Sequence, residues 1–245
     1  EYQERVFDAI RDAAMRGVKR ILVVLGTGSG KTIIEAKIAL SAVEKGNTVL
    51  SLVHRRGLVE QINKTYIENG LDSGIIMAGI ESELRKPCQV GSIFTYIRRM
   101  KLDELDRNQF FINADVILID EAHHVLSKTY QSILKNYPDK IVIGFTATPT
   151  LSTGAGMGEY FEELIDVVPL KELLDGGYLV PGVYYGPTVP DLDKLKSRLG
   201  DYKPKDLDKV CNKPKLVGDI VENWLKIAPG KQTMVFAINR KHAKA

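Results

Sequence analysis

Apolar positions along the chain follow two alternating rhythms. From Gln3 to Met15, Val6, Phe7, Ile10 and Ala14 recur at helical spacing, and Gly17 stops that run. Arg20 to Leu25 is a short apolar stretch of strand type, and Ile33 to Val43 is amphipathic at helical period. Gly46 and Asn47 turn the chain into a second strand, Thr48 to Val53, which leads to helix from Leu58 to Glu68. Shorter β-type runs follow at Gly74 to Ala78 and Gln89 to Phe94, which puts Phe94 and Tyr96 at a strand end. Val116 to Ile119 and Lys140 to Phe145 complete the series, and continuous apolar runs of this length suit strands covered on both faces. Strands alternating with helical segments predict an α/β doubly wound parallel sheet with helices on both faces. Right-handed crossovers would bring the strand ends to one edge.

Beyond Pro149 the pattern changes. Leu151 to Gly158 is loop-like, with glycines at 154, 156 and 158, and Glu159 to Leu174 returns to helical patterning. Pro181 to Pro214 is rich in Pro, Lys and Asp, so the boundary between a domain over residues 1–180 and a second segment over 181–245 falls near Val180. In that second segment Leu216 to Ile227 reads as an amphipathic helix with Trp224 on its core face, and Gln232 to Ala237 as a strand.

Chemistry gathers where these elements change over. LGTGSGKT lies between the first strand and its helix, and such a loop is a phosphate cradle. Its backbone N–H groups, at Thr27, Gly28, Ser29 and Gly30, would face phosphate oxygens at a helix N-terminus, Lys31 would reach the β and γ phosphates, and Thr32 would offer its hydroxyl to Mg²⁺. The pattern departs from GxxxxGK[ST] at Leu25, where a glycine or small residue is expected. Asp120 and Glu121 follow the buried run Val116 to Ile119, at the edge where open parallel sheets hold ligands. Asp120 would hold Mg²⁺ through its water shell, and Glu121 would orient and deprotonate an attacking water.

DEAH, Asp120 to His123, resembles the signature of superfamily 2 helicases and translocases, and the resemblance runs the length of the chain. Tyr2 and Gln3 resemble the glutamine motif that reads adenine, VHRRGLVEQ (Val53 to Gln61) resembles motif Ia, and VGSIFTYIRR (Val90 to Arg99) resembles the next nucleic-acid-contacting motif. GFTATP (Gly144 to Pro149) resembles motif III. LLDGGYLVPGVYY (Leu173 to Tyr185) and MVFAINRKHA (Met234 to Ala243) resemble the interlobe segment and motif IV of the bacterial and phage group related to the restriction-enzyme helicase subunit. The resemblance implies a P-loop NTPase with a RecA-like first lobe followed by the start of a second, using ATP and Mg²⁺ to move a nucleic acid, DNA rather than RNA. It implies that Glu121, Lys31 and Asp120 are catalytic and that Gln3 reads the base. It further implies that His123, Thr146 and Thr148 couple hydrolysis to movement, and that Arg55, Arg56, Ser92, Thr95 and Arg98 contact phosphates rather than bases. Motifs V and VI, which carry the arginine finger, do not appear before Ala245, so the chain is expected to need a second lobe as partner. Such a finger can supply roughly a thousandfold or more in rate, so residues 1–245 are expected to bind ATP and hydrolyse it weakly.

Composition narrows these readings without replacing them. With 34 basic and 31 acidic side chains the net charge is only +3, so nucleic-acid binding would be local, at His54, Arg55 and Arg56 and at Arg98, Arg99 and Lys101. Cys88 and Cys211 lack metal-ligand spacing and suit a reducing, cytoplasmic interior. No apolar run approaches the ~18 residues of a membrane span. A duplex-translocating motor subunit of a restriction or repair complex, and a nucleotide-dependent binding module without turnover, both remain open.

Overall fold

The computed structural model describes residues 1–102, 108–149, 156–183, 185, 197–198, 201–202 and 204–244. They divide into two compact units, Glu1–Val180 and Pro181–Ala245. The first unit is built on a seven-stranded sheet: β1 (Arg20–Val24), β2 (Val49–Val53), β3 (Ser73–Ile76), β4 (Cys88–Ser92), β5 (Val116–Asp120), β6 (Ile141–Thr146) and β7 (Glu163–Ile165). Their order is β3-β4-β2-β5-β6-β1-β7, and every pair is parallel.

The apolar runs explain the layering. Every residue of β2 and of β4 is buried, so helices must cover both faces of the sheet. On one face α1 (Tyr2–Met15), α2 (Lys31–Glu44) and α3 (Arg56–Glu68) enclose a core containing Val6, Ile10, Ile34, Val59 and Tyr66. On the other, α4 (Ile93–Met100) and α5 (Lys128–Leu134) pack Tyr96, Tyr130 and Ile133 against Leu50, Leu52 and Ile117. Side chains at i, i+4 and i+7 supply the contact stripe of α1, where Val6, Ile10 and Ala13 are buried. At the amino edge of the sheet Asp115 accepts from the Thr48 N–H at 3.0 Å and from Lys140 Nζ at 2.7 Å, a fastening remote from the opposite edge. Burial pushes the Cys88 thiol up to about 12, so it remains a packing group.

Four expectations change. Glu159 to Leu174 is not one helix: a turn leads into β7, which pairs with β1, and α6 (Leu170–Asp175) follows. The open edge of β1 offered unpaired backbone groups, and satisfying them outweighs local helical periodicity. The strand expected over Gln89 to Phe94 ends at Ser92, and Phe94 and Tyr96 are helical residues of α4. Gln232 to Ala237 forms no strand, because no described segment pairs with it, and Met234, Val235 and Phe236 are exposed. Trp224, on the helix α8 (Pro214–Ile227), is 37% exposed, and its indole N–H donates to Thr233 Oγ1 at 2.7 Å rather than entering a core.

The second unit also contains α7 (Pro204–Cys211) and an antiparallel pair, β8 (Ser197–Arg198) with β9 (Asp201–Tyr202). Most of the Leu151–Gly158 loop and much of the Pro-, Lys- and Asp-rich stretch lie outside the described residues. Among the described residues no helix is long and apolar enough to cross a membrane.

Gly144 in β6 shows how tightly the sheet is covered at its carboxyl half. A Cβ there would come within 2.6 Å of Ala122 Cβ and 2.6 Å of Phe161 Cζ. Gly57, in the first turn of α3, has nothing within 4 Å of the corresponding position. Gly144→Ala is therefore expected to cost about 1–3 kcal/mol through overpacking. Gly57→Ala should be neutral or stabilising by up to ~1 kcal/mol through helix propensity. Thermal denaturation of the two variants checks this, and equal melting temperatures would contradict it.

Candidate nucleotide site at the carboxyl edge of the sheet

Because all the strands run the same way, their last residues share one edge. Val24 of β1 lies beside Thr146 of β6, Asp120 of β5 beside Phe145, and Val53 of β2 beside Ser92 of β4. The glycine loop leaves β1 at this edge. Its first residue, Leu25, donates its N–H to the Thr146 carbonyl at 2.9 Å, so loop and strand end are tied together from the start. The Ser29 hydroxyl and N–H both reach the Gly26 carbonyl, at 2.6 and 3.2 Å. Gly28 at φ +81° and Gly30 at φ +75° take left-handed conformations that side chains resist, which is why these two positions are glycine.

Helix α2 begins at Lys31; the Ile33 and Ile34 N–H groups already donate to the Gly30 carbonyl, at 3.0 and 3.3 Å, and those of Lys31 and Thr32 precede the helical ladder at its N-terminus. The Lys31 ammonium donates to the Leu25 and Gly26 carbonyls, each at 3.3 Å. Thr32 is half-buried beside it, while Thr27 and Gly28 are exposed. Helix α1 braces the loop from outside. The Tyr2 hydroxyl donates to the Ser29 carbonyl at 2.7 Å, and Gln3 Nε2 stands 2.7 Å from where a Cβ on Gly30 would sit. The side chain of Leu25 is buried, so the residue that breaks the glycine pattern serves the core while its backbone serves the loop.

The acids stand two strands away, across β6. Asp120 ends β5, and burial pushes its carboxyl above the usual range, with Glu121 adding to the effect. The Glu121 N–H, Lys31 and His123 act against that rise, so the Lys31 charge is felt at Asp120. Glu121 occupies φ 54°, ψ 54°, a left-handed conformation that a residue with a side chain adopts only when its surroundings enforce it. Its N–H donates to Asp120 Oδ1 at 3.0 Å, and a 3₁₀ turn, Ala122–His124, follows.

His123 Nδ1 is 3.3 Å from Glu121 Oε2 and 3.4 Å from Thr146 Oγ1. The Thr146 hydroxyl donates to the Thr148 carbonyl at 2.9 Å and accepts from the Thr148 N–H at 3.1 Å. With the hydroxyl proton so committed, a proton on Nδ1 is the one that can bridge His123 to Thr146 and Glu121. Thr146, fully buried, thus joins the glycine loop through its carbonyl and the DEAH turn through its side chain.

Sequence reasoning missed Glu35. On the inner face of α2, this carboxyl is 1% exposed, with Oε2 3.5 Å from the Tyr66 hydroxyl and Oε1 without a partner. Tyr66 also contacts Ser51 Oγ at 3.2 Å. Burial pushes the Glu35 carboxyl well up, Asp120 pushes it further, and Lys31 acts against both. An acid in the apolar stretch Ile33 to Ala36 was the available signal. Leu170, Tyr178 and Leu179 were missed as well: Leu179 lies against Gly28, Leu170 against Gly26, and the Tyr178 ring packs edge-on against Tyr2 at 4.8 Å.

The candidate nucleic-acid residues are unevenly placed. Arg55, Arg56 and Arg98 are exposed near the same edge, and Arg56 donates to the Ala78 carbonyl at 2.5 Å. Thr95 Oγ1 accepts from the Ala78 N–H at 3.3 Å. Ser92 is 2% exposed at the start of α4, so its hydroxyl is withdrawn from the surface. Burial, required by the covered strand β4, overrides the phosphate contact expected of it.

Comparison with known proteins supplies an independent line. Residues 1–151 match the family model described as type III restriction enzyme, res subunit. A 51.5 kDa protein of Lactococcus phage (isolate 7-9) is 30% identical over 86% of this chain and 42% of its own length. IRC3 of Saccharomyces cerevisiae, described as a candidate ATP-dependent helicase, is 28% identical over 100% of this chain and 38% of its own. The chain thus spans less than half the length of these curated relatives. Among solved structures, a nuclease-deletion mutant of the Type ISP restriction-modification enzyme LlaGI in complex with a DNA substrate mimic superposes with a TM-score of 0.56. It is 15% identical and covers 95% of this chain and 23% of LlaGI, a likeness of fold alone.

The buried Glu35 makes a pH-dependent prediction. Its carboxyl is raised in the folded chain, so above about pH 4.5 the folded state holds a proton that the unfolded state releases, and stability falls as pH rises. Glu35→Gln removes that loss. The variant should melt above the parent at pH 8, with the gap closing towards pH 5; a gap independent of pH would contradict the assignment.

Proposed function

The chain belongs to the family of the type III restriction enzyme res subunit, among the superfamily 2 helicases, and on that footing we propose that it is the nucleotide-hydrolysing part of an ATP-dependent DNA helicase or translocase. The observation that carries this reading is the convergence of the glycine loop and the DEAH turn on Thr146. On this reading residues 1–180 form a RecA-like first lobe and residues 181–245 open a second.

Each side chain then has a task. The Lys31 and Thr32 N–H groups at the start of α2 and the Lys31 ammonium receive the β and γ phosphates, Lys31 exchanging its carbonyl partners for phosphate oxygens. Gln3, held against Gly30, reads the adenine. The donors Thr32 and Asp120 suit a hard divalent cation, and the carboxyl-rich corner of Asp120, Glu121 and Glu35 is one where added positive charge is favoured. Mg²⁺, when bound there, neutralises charge on the phosphate oxygens. Glu121 orients the attacking water and accepts its proton, with its backbone and carboxylate held by Asp120 and His123. Arg55, Arg56 and Arg98 meet phosphates of the nucleic acid, contacts that give register without sequence specificity. The free thiols Cys88 and Cys211 accord with a reducing cell interior.

DNA is the favoured substrate because restriction enzymes supply the family, and LlaGI was solved with a DNA substrate mimic. A second reading is a motor subunit of a restriction or repair complex that translocates along duplex without strand separation; strand-displacement and triplex-displacement assays distinguish the two.

Glu121→Gln should leave ATP affinity within a few-fold of the parent and lower phosphate release by about 10²–10⁴-fold, the range for loss of a general base. Fluorescent-nucleotide titration and steady-state phosphate assays read the two quantities. Unchanged hydrolysis would remove Glu121 from the role.

A further inference from the structure

A row of aromatic rings crosses the carboxyl edge from the hydrolytic acid to the outer surface. His123, whose Nδ1 lies 3.3 Å from Glu121 Oε2, packs on His124 with ring centroids 4.2 Å apart. His124 stacks on His54 at 4.1 Å, with only 21° between the planes. His54 and Phe94 meet in a T-shaped contact at 5.2 Å, and Phe94 is 52% exposed. Tyr130 of α5 lies parallel to His54 at 6.4 Å and backs the row. The rings come from the DEAH turn after β5, from the residue after β2 and from α4 after β4, so the row runs across the carboxyl ends of three neighbouring strands and joins their side chains above the backbone ladder.

We infer that this row is the coupling element between nucleotide and nucleic acid, with His124 and His54 as positioning residues that relay the state of Glu121 and His123 to Phe94 and the Arg55–Arg56 segment. The inference rests on the function proposed above and deepens it. Rings in van der Waals contact cannot pass through one another, so a shift of His123 when Glu121 changes partner presses on His124, tilted 47° to it, and through the stacked pair on His54. His54 is positioned for this because its Nδ1 is buried without a hydrogen-bond partner, which leaves packing to set the ring's orientation. His124 is held below the ordinary histidine range by burial, then by His123 and His54, so it packs as a neutral ring. At the outer end the exposed Phe94 face can stack on a base, a contact indifferent to sequence.

The test is the mutual effect of the two ligands on the intact chain. Affinity for a fluorescent single-stranded DNA is measured with and without Mg²⁺ and a non-hydrolysable ATP analogue. Affinity for the analogue is measured with and without the DNA, since linkage requires the same factor in both directions. The parent should show a factor of several-fold. In His124→Ala the factor should fall to near one while each ligand alone binds within about twofold of the parent; His124→Phe, which keeps a ring at the position, should retain most of it. A factor unchanged in His124→Ala would overturn the inference, as would its loss in His124→Phe with both single affinities intact. Both ligands binding the parent with no mutual effect would also overturn it and leave the proposed function standing. Failure of the parent to bind the analogue at all would instead overturn the proposed function, and the coupling with it.

Discussion

The backbone ladder that seats β6 between β1 and β5 holds the candidate site together. It places Thr146 beside the end of β1 and Phe145 beside Asp120, so two loops that no short segment of chain connects are set against a common strand. Thr146 completes the link: its carbonyl holds Leu25, its hydroxyl engages Thr148, and His123 reaches the same oxygen. Leu25 and Thr146 are buried and the contacts to His123 and Thr148 part-buried, an environment in which hydrogen bonds strengthen and unpaired groups cost more, so a shift at either loop is felt at the other.

Around that frame the site carries features that oppose stability. Glu121 holds a left-handed backbone, and Glu35 and Asp120 are acids raised by burial in reach of one ammonium. Such features persist where the rest of the fold over-determines them, and they cluster where a ligand can relieve them. A cation and a polyphosphate would do so by giving the carboxylates positive charge and Lys31 an anionic partner. The substitution-sensitive Gly144 belongs to the same design, because only a bare backbone lets the DEAH turn lie this close to β6.

The fold was largely legible in the sequence because buried parallel strands are written as unbroken apolar runs, as at Val116 to Ile119. The failures have a common cause. β7 was hidden because its residues hold helical periodicity, and only the open edge of β1, a fact about a distant segment, makes it a strand. Gln232 to Ala237 erred in the opposite sense, with strand-like residues but no described neighbour to pair with. At the site the loop and the acids were readable because their chemistry needs particular residue types at fixed spacing. Glu35 and the ring row were not, because a helix face and the meeting of residues 54, 94 and 124 are decided by packing.

A crystal structure of the chain with Mg²⁺ and a non-hydrolysable ATP analogue measures the central claim most directly. The account predicts the triphosphate against residues 26–30, the Lys31 ammonium moved from the Leu25 and Gly26 carbonyls onto phosphate oxygens, and density for the metal between Thr32 and Asp120. Nucleotide bound away from the glycine loop, or a loop unchanged and empty at saturating analogue, would contradict it.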